Sequence, residues 1–298
     1  MIAFERKTIT QTLLFLCFCL LPITSTQAYQ KRSPSPPISL DDFVLVQGGC
    51  FDMGDTFEEG YQDELPVHQV CLDDYYLSKY EITRAQWRKI FPLLKKWRGY
   101  SERLPITGIN WKRVQNFIKR LNQITHQNFR LPTEAEWEYA CREGGKVVRF
   151  GNGKNFADPR EINFDASPGF QQVYSGLGNS LKRNLPVGSY PANALGLYDM
   201  SGNAREWVMD SYSEMAYHYH QKENPFYLDD SHNKIVRDGR GDNDAQGIRC
   251  THRLKAAQGL DDARLGFRLA LSVQAASSAS MKNLRLSIAG LKSKKNQY

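Results

Sequence analysis

Two acids, Asp199 and Glu206, flank the short segment Ser201-Gly-Asn-Ala204. Carboxylate oxygens at the ends and backbone carbonyls from a glycine-containing middle form the donor set of a hard cation such as calcium. The same residues also read as a strand entering a tight turn with two solvated acids. Other chemistry is thin. The six histidines form no H-x-x-x-H pair, and His218 and His220 share a face only in a strand. Asp229, Asp230, Asp242 and Asp244 are loop acids that suit a cation, a basic ligand or plain solvation. There is no G-x-S-x-G elbow and no Walker loop.

Three helices are expected to position these residues. Thr83 with Gln86, and Thr133 with Glu136, have the spacing of capping boxes. They predict helices from Arg84 and from Glu134. Asn110 caps a third over Trp111–Gln123, where Val114, Phe117, Ile118 and Leu121 recur at helical spacing. Elsewhere Gly, Asn, Asp and Pro dominate. The fold class expected is an irregular, loop-rich single α+β domain over residues 41–272. A hydrophobic content of 41% with 12% aromatics suffices for its core. The net charge of +7 is spread along the chain. It clusters only at Lys95–Arg98 and Lys292–Lys295, without interleaved stacking residues, so no nucleic-acid partner is expected.

Arg6 and Lys7 precede an apolar run from Leu13 to Ile23, too short to span a bilayer comfortably. Ala28 supplies a small residue before a cut. Residues 1–28 thus read as a signal peptide, with an uncleaved anchor as the alternative. Residues 29–40 form a Pro/Ser linker, and 273–298 a basic polar tail. The mature chain is expected in the periplasm or secreted, without membrane contact. It keeps Cys50, Cys71, Cys141 and Cys250. An even number in an exported chain favours disulfides over zinc, for which no C-x-x-C is present. Cys50 and Cys71 sit in two apolar segments joined by a turn-rich loop, so strand pairing would bring them within bonding range.

Five ordered blocks resemble the formylglycine-generating enzyme, or sulfatase-modifying factor, family. They are Phe43–Gly54, Pro66–Trp87, Arg130–Arg142, the 195–207 loop, and Arg249-Cys250 with Leu265-Gly-Phe-Arg268. The resemblance implies a compact fold related to C-type lectins, with structural calcium. Asp199 and Glu206 would give carboxylate oxygens, and Gly202 and Ala204 carbonyl oxygens. A second site would use Asn163, the Phe164 carbonyl, Asn179 and the Leu181 carbonyl. Cys141 and Cys250 match family cysteines that are normally bridged but lack their usual partners here, Leu269 standing after Arg268. They would pair with each other or remain buried thiols.

The family's copper oxidases hold Cu(I) between two cysteines five residues apart. The stretch 239–248 should carry them and has none, and Ala245 stands five positions before Cys250. Copper and formylglycine chemistry are therefore not expected, and no catalytic residue is assigned. Two functions follow. One is an exported oxidoreductase-type factor in the maturation or oxidation of a secreted protein or metabolite. The other is a calcium-stabilised module that binds a protein, peptide or glycan without turnover.

Overall fold

The computed structural model describes residues 37–92 and 101–273. The segment read as a signal peptide, most of the expected linker, the Lys95–Arg98 cluster and the tail beyond 273 lie outside the described residues. The strands are short and the sheets small. One sheet has the order β1 (Phe43–Val46), β4 (Tyr75–Ser78), β10 (Ala270–Ser272), β5 (Phe129–Arg130). A ribbon pairs β2 (Gly49–Met53) with β3 (His68–Leu72). The third sheet runs β8 (Arg253–Ala257), β7 (Asn233–Arg237), β6 (Arg205–Ser211), β9 (Leu265–Gly266). In it β9 lies parallel to β6, which sets Arg268 beside Glu206.

Helix α1 (Arg84–Ile90) starts at the Thr83–Gln86 capping box. Helix α2 (Trp111–Thr125) starts where Asn110 Oδ1 accepts from the Arg113 N–H. It runs two residues beyond the expected Gln123 because His126, in the left-handed region at φ 55°, closes its end. Its apolar stripe is buried, and Phe117 stacks on Trp87 with ring centres 5.0 Å apart. Helix α3 (Glu134–Cys141) starts at the Thr133–Glu136 box. Every one of its residues is buried, including three glutamates. Such burial requires cations close by. The short α4 (Ala216–Tyr219) follows β6. Residues 142–204 hold neither α-helix nor named strand, which is the loop-rich character read from composition.

Cys50 and Cys71 face each other in the β2–β3 register and are bonded. Cys141 and Cys250 are bonded across 109 residues, with Cα atoms 5.6 Å apart. Two disulfides belong to an oxidising compartment. Among the described residues no helix is long and apolar enough to cross a membrane.

Candidate functional site

The acidic loop is buried rather than solvated. Glu206 leads β6, and its oxygens accept from Arg268 Nε at 2.7 and 2.9 Å, Arg268 Nη2 at 2.7 Å and Trp137 Nε1 at 2.7 Å. The same guanidinium donates to the carbonyls of Ser78, Tyr198 and Asp199. Asp199 takes a left-handed φ of 53°, and its Oδ2 accepts from the Gly188 N–H at 2.7 Å. Burial, with Glu206 adding repulsion, lifts its carboxyl to about 6.

Sequence reading missed a third acid. Glu81 is buried, and one of its oxygens accepts from Asn203 Nδ2 at 2.7 Å. The other, Oε1, has no hydrogen-bond partner. Burial, then Asp199 and Glu206, push Glu81 well above the carboxylate range. Glu81, Asp199, Glu206 and Asp238 thus share Arg268. Only a contact map could have revealed this, because Glu81 and Arg268 are remote in sequence from the loop.

Gly202 sits at φ 79°, where an added Cβ would lie 2.1 Å from the Asn163 carbonyl oxygen. Its N–H donates to Asp238 Oδ1 at 2.6 Å. Ala204 is buried. The close approach joins the two expected calcium sets, since Asn163 bridges to Gly202. Asn163 Nδ2 donates to the Arg183 carbonyl at 2.9 Å, while its Oδ1 is buried without a partner. Phe164 packs in a small apolar cluster with Phe150, Ala245 and Ile248. Asn179 and Leu181 lie on an exposed stretch. By charge and orphaned oxygens the residues suit a divalent cation. Glu206, however, is already engaged on both oxygens, and among the described residues no three His, Cys, Asp or Glu converge as a ready-made metal group.

The 239–248 stretch borders a cavity of about 660 Å³. Arg84, Arg183 and Arg240 reach it, together with Leu104, Leu185 and Pro186. Arg240 Nη1 pairs with Asp242 at 3.2 Å and Nη2 with the Lys182 carbonyl at 3.2 Å. Ala245 is not part of this lining and is buried in the apolar cluster. The loop acids are spent locally. Asp229 caps the Ser231 N–H, and Asp244 caps the Gly247 N–H. His218 is exposed, whereas His220 meets His68 at 3.1 Å. They part because α4 is helical at His218. Burial holds both His220 and His252 down to about 4.

Known proteins match both sequence and fold. Residues 28–273 match the family profile described as the sulfatase-modifying factor enzyme 1-like domain. The chain is 28% identical over 272 residues to the serine/threonine-protein kinase pkn1 of Chlamydia pneumoniae, covering 82% of this chain and 40% of that protein. It thus spans about two fifths of that relative's length. It is 26% identical over 246 residues to the formylglycine-generating enzyme of Mus musculus, covering 62% of this chain and 64% of the enzyme. The structure of PvdO from Pseudomonas aeruginosa superposes with a TM-score of 0.64 at 24% identity, covering 78% of this chain and 94% of PvdO. That likeness is one of fold. With the profile spanning most of its length, the chain belongs to the sulfatase-modifying factor enzyme 1-like family.

Proposed function

We propose that this chain is an exported, ligand-binding member of its family. It serves the maturation of a secreted protein or metabolite and is not a copper formylglycine oxidase. The observation that supports this is the cavity beside the 239–248 stretch. It is large enough for a peptide segment, and its lining includes no Cys, His, Asp or Glu. A site that holds a substrate without a thiolate pair or a general acid–base suits binding better than oxidation. The two disulfides and the basic, apolar start of the sequence support residence in the periplasm or secretion. Turnover by an oxidoreductase-type factor is the second reading.

Calcium is proposed as a structural ion at Asp199, Glu206 and the Gly202 and Ala204 carbonyls. A second ion is proposed at Asn163, Phe164, Asn179 and Leu181. Buried Glu81, Glu206 and Asp238, with partly buried Asp199, against one guanidinium favour a further cation. Binding at the first set asks Glu206 to share an oxygen with Arg268. The ion would supply charge neutralisation to the loop and no chemistry.

The test of the oxidase question is mass spectrometry of a Cys-x-Pro-x-Arg peptide after incubation with copper-loaded mature protein and oxygen. The unchanged peptide is expected. Multiple-turnover loss of thiol mass at the cysteine would overturn the binding reading.

A further inference from the structure

The lining of the cavity beside residues 239–248 is one-sided in charge. Arg84, Arg183 and Arg240 face it, and its lining includes no acid. Arg183 is exposed and makes no ion pair among the described residues. Its backbone is fixed, because its carbonyl accepts from Asn163 Nδ2. Arg240 is partly committed to Asp242 and the Lys182 carbonyl, yet its Nε is buried without an acceptor. On the same wall Asn184 Oδ1 is buried without a donor. Buried polar atoms in a folded protein are almost always satisfied. Asn184 and Arg240 line a cavity that also carries the apolar side chains of Leu104, Leu185 and Pro186, and side-chain rotation would bring the acceptor and the donor to a ligand.

With this cavity as the ligand site proposed above, we infer that its occupant is an extended acidic peptide segment. A peptide backbone supplies an N–H for Asn184 Oδ1 and a C=O for Arg240 Nε. An aspartate or glutamate side chain supplies the planar oxyanion that a guanidinium fork binds best. The apolar stems lie against Leu104 and Leu185. Inorganic phosphate satisfies the arginines, and its O–H can donate to Asn184, but it brings no apolar stem for Leu104, Leu185 and Pro186. An arginine-bearing peptide of the Cys-x-Pro-x-Arg type meets like charge, so the same lining argues against a sulfatase-type substrate.

The experiment uses the mature chain and three fluorescein-labelled peptides, alternating Ala/Asp, Ala/Asn and Ala/Lys, read by anisotropy. The Ala/Asp peptide is expected to bind at least about ten-fold tighter than Ala/Asn, with the gap closing at high salt. Arg183→Gln is expected to weaken Ala/Asp by about three- to ten-fold and to leave Ala/Asn unchanged, as expected for loss of one partly solvated charge contact. Asn184→Ala is expected to weaken both peptides alike. The surface control Arg160→Gln should bind as the parent does. Equal affinity for Ala/Asp and Ala/Asn overturns the acidic assignment and leaves the cavity a ligand site. Displacement by inorganic phosphate at concentrations matching the peptide marks a simple anion site and overturns the peptide assignment. No binding by any peptide overturns the inference and the ligand-site reading together.

Discussion

Two regions of this molecule gather arginines, and they treat them in opposite ways. Under helix α3 each guanidinium is buried against carboxylates, although Arg237 Nε and Arg142 Nη2 find no acceptor. Arg237 meets Glu138 at 2.6 Å and Glu134 at 3.3 Å, and also donates to the carbonyls of Cys250, Thr251 and His252. Arg253 meets Glu134 at 2.7 Å, and Arg142 meets Glu138 at 3.0 Å. All five side chains are buried. Burial alone would raise the Glu134 carboxyl. Arg253 and Arg237 overcome this and hold it below the usual carboxylate range. At the cavity the pairing is looser: Arg183 is exposed with no ion pair among the described residues, and Arg240 is paired with Asp242 alone at the surface. A closed, carboxylate-bound guanidinium organises the fold, whereas an open, loosely paired one is free to bind something else.

The largest expected effect lies on the closed side. The Cys141–Cys250 bond ties α3 to the turn before β8, where the Cys250 carbonyl receives Arg237. Closing a loop of about 100 residues contributes about 4.7 kcal/mol in the chain-entropy treatment. The double variant Cys141→Ala/Cys250→Ala should lose most of that in urea denaturation. A loss under about 1 kcal/mol would show that the arginine network alone holds this region. Next comes Arg237→Met, which leaves two glutamates short of a buried cation. The expected cost is about 3 to 5 kcal/mol, checked by the same denaturation. A neutral result would place this network with the buried pairs that hydrophobic replacement tolerates.

The acidic loop stands between the two extremes, with one guanidinium, Arg268, for four acids. Asp199 has a folded value raised to about 6, so the folded state holds its proton more tightly than the unfolded chain does. This group therefore favours folding at low pH, and that contribution is lost as pH rises from about 4 through about 6. Calcium needs the ionised form. Its affinity should be constant above about pH 7 and fall by about ten-fold per pH unit below 6. Calorimetry on chelator-treated protein at pH 5, 6 and 8 would show this. Heat of binding that is identical at all three, or absent throughout, would remove Asp199 as a ligand. The smallest effect belongs to the open side. Arg183→Gln should change stability by less than about 0.5 kcal/mol, and a larger loss would mean that Arg183 is part of the scaffold.

The elements that were legible in the sequence are those with local causes. Thr83, Asn110 and Thr133 accept from N–H groups three residues on, so spacing alone disclosed the helix starts. The pairing of Cys50 with Cys71 followed from two short apolar segments. What was hidden depends on distant contacts. Glu134 meets Arg253 and Glu138 meets Arg237 across about a hundred residues. Nothing near α3 announces that its glutamates are buried. The loop at 195–207 was recognised as chemically unusual. Its neutralising partner, Arg268, arrives through the parallel pairing of β9 with β6, and Glu81 from the far end of the chain. Asp242, which in sequence suits a cation, a basic ligand or plain solvation, is a partner of Arg240.

Ala245 sets a limit for protein engineers who would retrofit an oxidase into this scaffold. Its methyl group is fully enclosed with Phe150, Phe164 and Ile248. A sulfur placed there would sit inside packed hydrocarbon, and Cys250, five residues on, is already bonded to Cys141. Added bulk in such a cluster costs about 1 to 3 kcal/mol, and a buried, uncharged thiol is a poor metal clamp. Restoring a copper-binding pair is therefore a problem of rerouting the main chain between Arg240 and Cys250, which no single codon change solves.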